Sequence, residues 1–321
     1  MVSVAMAVYN GERFLRAQLD SILRQTYQDF EIVICDDCST DGSVMVIEEY
    51  AAKEPRVRLH KNEVNLGYIK NFETAVKLCQ GDYVAFCDQD DIWSENHIEL
   101  LLKAIGDKDL ACGRTLRFEN DSDITSGNLT DISFHYTPKS EKELFLHSFC
   151  DKCIFIGNTM LFTKRFFDDG RLFPFPLAHD YWLGVCAFAA KNGFVQIDDV
   201  VTYWRVHKSN VSSPVIARPS FFARMRKILS KEKRQAKAEN IPLLREIKTR
   251  FNITGERAEY LKLCDDFLEG RVASPFSLFK KARGLPVYIK HYDLIRPFEK
   301  TDKVFTYLRR QLFWYIQYLL F

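Results

Sequence analysis

The sequence has no long apolar run, and its overall charge is close to zero. No uninterrupted apolar stretch reaches the roughly 18 to 20 residues that a membrane-spanning helix requires. The 45 lysine and arginine residues against 43 aspartate and glutamate residues give a net charge of +2. This balance argues against a nucleic-acid-binding protein that depends on bulk positive charge. We therefore predict a soluble or membrane-peripheral protein with no nucleic acid among its partners.

The sequence also lacks two kinds of glycine-rich phosphate-binding loop. The apolar start, Val2 to Val8, runs into Tyr9-Asn10-Gly11-Glu12-Arg13-Phe14 and not into G-x-G-x-x-G, which excludes a dinucleotide-binding dehydrogenase. A sugar-nucleotide pyrophosphorylase remains only a minor alternative, because no glycine-rich phosphate cradle lies near the N-terminus. The same apolar start lacks a basic flank, so it is predicted to be a strand and not a signal peptide.

The cysteine pattern does not fit a disulfide framework. Nine cysteines, an odd number, are scattered through apolar segments, which is typical of a reducing compartment. The two C-x-x-C pairs, Cys35/Cys38 and Cys150/Cys153, lie about 110 residues apart, whereas a shared zinc site wants a short spacing. We therefore predict free thiols.

What the sequence does have is apolar material in a regular alternation. Hydrophobic residues make up 47% and aromatic residues 14% of the 321 positions, enough to bury a large core. Four apolar runs are predicted strands, with helices between them: Val2–Val8, Phe30–Cys35, Val57–His60 and Tyr83–Cys87. Alternating strands and helices predict a mostly parallel α/β sheet whose ligand lies beyond the carboxyl ends of the strands.

The remaining chain divides near Pro214. Before it we predict strands at Leu110–Phe118, Cys153–Phe162 and Val200–Val206, helices at Glu95–Ile105 and Asp180–Lys191, and a mobile loop at Glu119–Asp131. After it, from Arg218 to Phe321, 23 basic residues stand against 11 acidic residues. We predict an α/β domain over residues 1–213 and a basic, helical appendage over residues 214–321.

The clearest chemical signal is an acidic turn directly after the fourth predicted strand. Asp88, Asp90 and Asp91 place three carboxylates within four residues, and their mutual repulsion would be relieved by a divalent cation with oxygen ligands. A D-x-D turn at a strand end suits the diphosphate of an activated substrate, with Mg²⁺ or Mn²⁺ screening charge on the leaving group. The competing interpretation is a solvated turn that caps the next helix.

Three further polar groups lie at predicted element ends. Asp36 and Asp37 follow the second strand and could accept hydrogen bonds from a base or a ribose. Asp180 either caps the helix that it begins or takes part in chemistry. His207 ends the last strand, where a lone histidine is usually structural.

Taken together, these motifs resemble the family 2 glycosyltransferases of GT-A fold, which are inverting enzymes that use nucleotide sugars. The resemblance covers about residues 1–212, and its Asp-Gln-Asp-Asp-x-Trp and His-Asp-x-Trp segments are most similar to bacterial rhamnosyltransferases that build O-antigen, capsule or rhamnan polymers. Two positions depart from the pattern, since Cys38 replaces the usual glycine and Trp204 the usual tyrosine. The motifs are Ala7-Val8-Tyr9-Asn10-Gly11, Gln25-Thr26-Tyr27, Asp36-Asp37-Cys38-Ser39-Thr40-Asp41-Gly42, Asn65-Leu66-Gly67, Asp88-Gln89-Asp90, His179-Asp180 and His207.

The resemblance implies a role for each candidate residue. Tyr9 and Asn10 belong to the donor site, Asp37 contacts the base and Asp88 contacts the ribose. The remaining three residues supply the chemistry: Asp90 and His207 bind Mn²⁺ or Mg²⁺, and Asp180 is the catalytic base.

The resemblance also implies the partners. The donor would be a dTDP- or UDP-linked sugar, and the acceptor a growing cell-surface glycan or a polyprenyl-pyrophosphate-linked sugar, reached at the inner face of the cell membrane from the cytoplasm. The aromatic end, Leu312–Phe321, follows Arg309-Arg310 and is predicted to lie on the membrane surface, with packing on the catalytic domain or in a homodimer as the alternatives. A non-catalytic assembly scaffold is the alternative from another functional class.

Overall fold

The computed structural model describes residues 1–131, 155–168, 179–189, 193–207, 210, 249 and 253–272. The chain divides into two compact units. One consists of Met1–His135 with Phe155–Ser213, and the other of Tyr136–Ile154 with Pro214–Phe321. This division does not test the separate functions that were predicted for the two regions.

The first half of the sheet is parallel, as predicted. Its strands lie in the order β3-β2-β1-β4, and every neighbouring pair is parallel. Helices join them and give a doubly wound arrangement with β1 between β2 and β4. The elements are β1 (Val2–Val8), α1 (Glu12–Leu23), β2 (Phe30–Asp36), α2 (Ser43–Ala51), β3 (Val57–Lys61), α3 (Tyr68–Leu78) and β4 (Tyr83–Asp88).

The second half of the sheet is mixed, so the prediction of a mostly parallel sheet holds for the first half only. The order continues β4-β8-β6-β9-β5, with β7 on β6. Only β6 and β9 run parallel there, and the other described pairs are antiparallel. The elements are β5 (Ile92–Trp93), α4 (His97–Ile105), β6 (Leu110–Phe118), β7 (Thr130–Asp131), β8 (Met160–Thr163), α6 (Lys164–Asp168), α7 (His179–Ala189) and β9 (Phe194–Arg205).

Three predictions about this half were wrong in detail. Glu119–Asp131 is not one loop, because α5 (Asp121–Ser126) forms there with a capping box between Asn120 and Asp123. In the segment predicted as the strand Cys153–Phe162, residues 157–159 form a 3-10 turn and the strand begins at Met160. The last strand begins at Phe194 instead of Val200, since residues 194–196 already pair with β6.

The core lies on both sides of β1. Val2, Val4, Ala5 and Met6 are fully buried, as expected of a central strand with helices on both faces. One face of α1 belongs to the same hydrophobic cluster as this strand, and three of its residues are fully buried: Leu15, Leu19 and Ile22. The carboxyl ends of β1, β2 and β4 therefore come from a rigid scaffold.

In the second unit the structure describes one long helix, α8 (Gly255–Val272), within the region predicted to be helical. The aromatic end at residues 312–321 lies outside the described residues. Among the helices that are described, none combines the length and the hydropathy that a membrane crossing needs. The seven cysteines described are free thiols, and Cys150 and Cys153 lie outside the described residues.

Candidate functional site

The loop after β1 ties together the two acidic turns that the sequence singled out. The backbone N–H of Tyr9 donates to Oε1 of Gln89 at 2.9 Å, and Nε2 of Gln89 donates back to the Tyr9 carbonyl at 3.1 Å. On the other side, Oδ1 of Asn10 accepts from the backbone N–H of Thr40 at 2.8 Å. The turns after β2 and β4 therefore share one edge of the sheet, as predicted, with Tyr9 and Asn10 between them.

Gly11 leaves room for the Gln89 amide at this junction. A Cβ there would lie 2.4 Å from Oε1 of Gln89, so a side chain would displace the amide that holds Tyr9. Asn10 adopts a positive φ of 50°, and its N–H is held by Ser39 Oγ at 2.9 Å. The Tyr9 side chain remains half exposed, at 49%, where it is accessible to a ligand.

Asp37 is held by the loop that follows β3. Its carboxylate accepts from the backbone N–H groups of Leu66 and Gly67 and from Nδ2 of Asn62, each at 2.8 Å. Nδ2 of Asn65 donates to the Asp37 carbonyl at 2.9 Å, and Asp37 is only 2% exposed. The carboxylate thus anchors the Asn65-Leu66-Gly67 motif, and its contact with a base stays a prediction.

Cys38 explains one departure from the family pattern. Its backbone has a positive φ of 65°, a conformation that glycine adopts without strain and other residues rarely do. The thiol donates to the carbonyl of Asn62 at 3.3 Å. The turn therefore keeps the glycine-type conformation although a side chain is present.

Asp88 ends β4 and lies among other carboxylates. Burial raises its pKa to about 8, and the negative charges of Asp90 and Asp180 add to this effect. The Coulombic influence of Asp180 shows that the end of β4 and the start of α7 are close enough to interact. Three of the predicted site carboxylates therefore share one electrostatic environment.

Asp91 is part of the framework. It is fully buried, accepts a hydrogen bond from Nδ2 of Asn158 and accepts another from the backbone N–H of Arg205 at 2.9 Å. Burial raises its pKa well above the usual range, with Asp90 and Asp88 adding to the shift. Of the three clustered carboxylates, Asp91 joins the turn to β9.

Asp90 and His207 are brought together although 117 residues separate them in the chain. Nε2 of His207 lies 2.7 Å from Oδ2 of Asp90, and the two side chains are 14% and 13% exposed. The His207 ring stacks on Phe14 of α1 with a centroid distance of 4.4 Å. A carboxylate and an imidazole nitrogen at this separation, near the surface, are ligand atoms that a divalent cation can use.

Asp180 begins α7 and is oriented by the turn before β8. Its Oδ2 accepts from the backbone N–H of Gly157 at 3.2 Å. A Cβ at Gly157 would lie 3.0 Å from Nε2 of His179 and 3.4 Å from Cβ of Asp180, so the missing side chain allows this close approach. Asp180 also contributes to raising the pKa of Tyr68, where burial is the larger cause.

His179 supports Asp180 from the core. Its ring stacks on Phe72 with a centroid distance of 4.1 Å and meets Phe86 edge to face at 4.7 Å. Burial lowers the pKa of His179 despite the opposing influence of the Asp180 carboxylate. The imidazole is therefore a neutral packing element that fixes the first turn of α7.

Several site residues were not found from the sequence. No role was predicted for Gln89, although it lies inside a recognised motif. None was predicted for Arg205, which lies two positions before His207. Gly157 carried no local signal at all, since its importance comes from a tertiary approach to α7. Among the described residues, no group of three or more His, Cys, Asp or Glu side chains has a geometry that could hold a metal ion, so protein ligands alone do not complete a cation site there.

The chain is similar in sequence to known proteins. The family model "Glycosyl transferase family 2" matches residues 3–171, more than half of the chain. The chain is 26% identical over 217 residues to the UDP-Glc:alpha-D-GlcNAc-diphosphoundecaprenol beta-1,3-glucosyltransferase WfgD of Escherichia coli, covering 66% of this chain and 80% of that protein. It is 33% identical over 151 residues to the chondroitin synthase of Escherichia coli, covering 47% of this chain and only 21% of that protein.

Solved structures show the same fold. TarS residues 1–349 of S. aureus in complex with UDP-GlcNAc matches with a TM-score of 0.59 at 19% identity, covering 92% of this chain and 81% of that one. The mannosyltransferase PcManGT of Pyrobaculum calidifontis in complex with GDP-Man and Mn²⁺ matches with a TM-score of 0.54 at 18% identity, covering 99% of this chain and 85% of that one. The fold is that of the GT-A glycosyltransferases.

Proposed function

Because the chain belongs to glycosyl transferase family 2 and so transfers a sugar from a nucleotide sugar, we propose that it is an inverting, cation-dependent enzyme. The acceptor in this proposal is a hydroxyl of a growing cell-surface glycan or of a lipid-linked sugar. The observation that carries the proposal is the pairing of Asp90 with His207 at 2.7 Å. These residues lie 117 positions apart in the sequence and meet beside Asp88.

The residues at this edge fit a divalent cation. Asp90 and His207 offer one carboxylate oxygen and one imidazole nitrogen, a donor set that suits Mn²⁺ and is compatible with Mg²⁺. The remaining coordination positions would be filled by diphosphate oxygens and water. When bound, the cation would stabilise the negative charge that develops on the departing nucleoside diphosphate.

Asp180 is proposed as the catalytic base. The backbone N–H of Gly157 donates to Oδ2 of this carboxylate and so orients the side chain, and in the proposal the carboxylate accepts the proton of the acceptor hydroxyl. The hydroxyl oxygen then forms a bond to the anomeric carbon as the bond from that carbon to the diphosphate breaks. The proton ends on Asp180, the nucleoside diphosphate leaves, and one displacement inverts the anomeric centre.

The donor site is proposed to lie along Tyr9, Asn10, Asp37 and Asp88. Tyr9 presents a half-exposed ring for the nucleoside, and the backbone N–H of Asp37 donates to the carbonyl of Val8, the residue before Tyr9, at 2.8 Å. The names of the relatives mention UDP-glucose, and the solved structures hold UDP-GlcNAc and GDP-mannose, whereas the sequence motifs favour rhamnose. We propose a UDP- or dTDP-linked donor, with rhamnose as the sugar to test first.

A donor panel tests the proposal. Purified full-length protein is incubated with dTDP-rhamnose, UDP-glucose, UDP-GlcNAc and GDP-mannose in the presence of Mn²⁺, and the released nucleoside diphosphate is measured. We expect release from one donor, its loss in excess chelator, and its loss in Asp90→Asn and His207→Ala at unchanged secondary structure. Release that is unaffected by chelator would overturn the cation assignment. A folded protein that consumes no donor in the panel would favour a non-catalytic scaffold.

The C-terminal region is proposed to hold the enzyme at the inner face of the cell membrane. The support is its sequence, in which Arg309-Arg310 precedes the aromatic and aliphatic residues of Leu312–Phe321, a composition typical of interfacial segments. We expect co-sedimentation with anionic liposomes that high salt weakens and that deletion of 312–321 removes while donor consumption persists. A truncated protein that no longer folds, or a full-length protein that ignores liposomes at low salt, would favour packing on the catalytic domain or within a homodimer.

A further inference from the structure

Arg205 connects the two residues of the proposed cation pair. Its Nε donates to the main-chain carbonyl of Asp90 at 2.8 Å, and its backbone N–H donates to Asp91 at 2.9 Å. Two positions further along the chain, His207 meets Asp90. Arg205 is only 5% exposed. It therefore holds the turn that carries Asp90 and belongs to the same strand end as His207.

The guanidinium group lies between aromatic rings. Its central carbon is 4.5 Å from the ring centroid of Phe118 and 5.2 Å from that of Phe14, and Nη1 forms an ion pair with Asp121. The Phe14 ring also stacks on the His207 imidazole. The same ring therefore contacts both the arginine and the histidine, and so couples their positions.

Asn210 closes the turn that carries His207. The backbone N–H of His207 donates to Oδ1 of Asn210 at 2.6 Å, and Nδ2 of Asn210 donates to the Arg205 carbonyl at 3.1 Å. The side-chain amide of Asn210 thus bonds the main chain at both Arg205 and His207, and so helps to keep the imidazole beside Asp90.

We propose that Arg205 is a positioning residue for the cation pair, acting with Phe14 to hold the side chains of Asp90 and His207 next to each other. This inference rests on the proposed function, because it assumes that the pair binds a divalent cation. The planar guanidinium donates along one edge while its face packs on a ring. A lysine at the same position carries the charge but lacks the fork that reaches the Asp90 carbonyl.

The test is Mn²⁺ binding by the full-length protein, which does not depend on turnover. Binding is measured by electron paramagnetic resonance with Mn²⁺ alone and with Mn²⁺ plus UDP, for wild type and Arg205→Lys. We expect the dissociation constant for Mn²⁺ to rise about 10- to 100-fold, the usual effect of losing an outer contact to a metal ligand. Activity should recover as Mn²⁺ is raised, whereas a purely structural defect would not respond to the cation.

Arg56 supplies a matched control at the opposite edge of the sheet. It too pairs with a carboxylate, Glu54, at 2.8 Å, covers an aromatic ring, Phe30, at 4.4 Å, and donates to a main-chain carbonyl, that of Gln28, at 3.3 Å. Arg56→Lys therefore makes the same chemical change away from the site. We expect its Mn²⁺ dissociation constant to equal that of wild type.

Three results would overturn the inference. The first is a folded Arg205→Lys protein with wild-type Mn²⁺ affinity, and the second is an equal loss of affinity in Arg56→Lys. If Arg205→Lys does not fold, Phe14→Leu replaces it, because Phe14 is only partly buried, and unchanged Mn²⁺ affinity in that variant is the third. Wild-type protein that binds no Mn²⁺ yet consumes a donor would instead remove the cation site itself, while leaving the glycosyltransferase assignment standing.

Discussion

The amino ends of the parallel strands, here called the amino edge, and their carboxyl ends, the carboxyl edge, place carboxylates in opposite environments. At the amino edge, Glu31 accepts from Ser3 Oγ at 2.7 Å and from the backbone N–H of Gln80 at 2.6 Å, and it pairs with Arg58 at 2.5 Å. Burial alone would raise the pKa of Glu31, yet these bonds outweigh it and hold the pKa below the ordinary value. The carboxylate of Glu31 therefore has hydrogen-bond and ion-pair partners at this edge, and these contacts contribute to the stability of the fold.

At the carboxyl edge, Asp88 has the reverse environment. Burial raises its pKa to about 8, and the neighbouring carboxylates of Asp90 and Asp180 add to the shift instead of opposing it. The described strands therefore have an excess of mutually repelling carboxylates at their carboxyl ends. Such an imbalance is a recognised mark of a functional site, because a cationic ligand relieves it.

The largest effect is expected from breaking the carboxyl edge at Asp180. Asp180→Asn keeps the size of the side chain but removes the proton acceptor, so sugar transfer should fall by about 10² to 10⁴ while donor binding persists. Single-turnover transfer and nucleotide titration separate the two quantities. Loss of nucleotide affinity with an unchanged maximal rate would make Asp180 a donor ligand instead.

A substitution at the amino edge should lower the free energy of unfolding without changing donor consumption. Glu31→Gln removes the charge that Ser3, Gln80 and Arg58 contact, and we expect a loss of about 2 to 3 kcal/mol in the free energy of unfolding. Denaturant titration measures this loss. Donor consumption per folded molecule should stay at the wild-type level, and a selective loss of activity would contradict the division between the two edges.

A third buried group, His97, should weaken the fold in acid. Burial lowers its pKa to about 3, although the hydrogen bond between its Nδ1 and the Val201 carbonyl acts the other way, and its ring lies 3.7 Å from that of Trp93. Its ordinary pKa is near 6.5, so as the pH falls below that value the unfolded chain takes up a proton that the folded state refuses. We expect the free energy of unfolding to drop by about 2 kcal/mol between pH 7.5 and pH 5 on this account.

The control for this prediction is the pH dependence of a variant without the imidazole. His97→Gln should have a lower free energy of unfolding at neutral pH, but a shallower decline below pH 6.5. Equal slopes in the two proteins would show that other groups control the acid sensitivity.

The smallest effect is expected from relieving the carboxyl edge. Asp88→Asn removes one of the interacting carboxylates, so the cation-free protein should gain about 1 kcal/mol in stability while donor consumption falls. Thermal unfolding in chelator measures the gain. A loss of stability would show that Asp88, like Glu31, is satisfied by its surroundings.

The sequence predicted the parallel half well because its signals are local. The four apolar runs and the helices between them follow periodicity, and Asp37, Asp88 and Asp90 stand directly at strand ends. The pairing of His207 with Asp90 was predicted only through family resemblance, since no local pattern relates positions so far apart.

The parts that were missed depend on tertiary packing. The first half of β9 mixes apolar and polar residues without a clear local signal, and its residues 194–196 pair with β6, a distant segment. The close approach of Gly157 to Asp180 and the position of Arg205 between two aromatic rings are contacts between distant segments. The acidic cluster could be found from its composition, but its division into Asp91 for the framework and Asp90 for the pair required the structure.

The pairing of Asp90 with His207 has a consequence for the order in which the protein matures. Closing a chain segment of 117 residues costs on the order of 4 kcal/mol in chain entropy before any contact compensates it. The β1–β4 half needs only short connections and can form early. A nascent chain can therefore complete the parallel half of its sheet while it still lacks His207, and Asp90 meets His207 only when β9 takes its place beside β6.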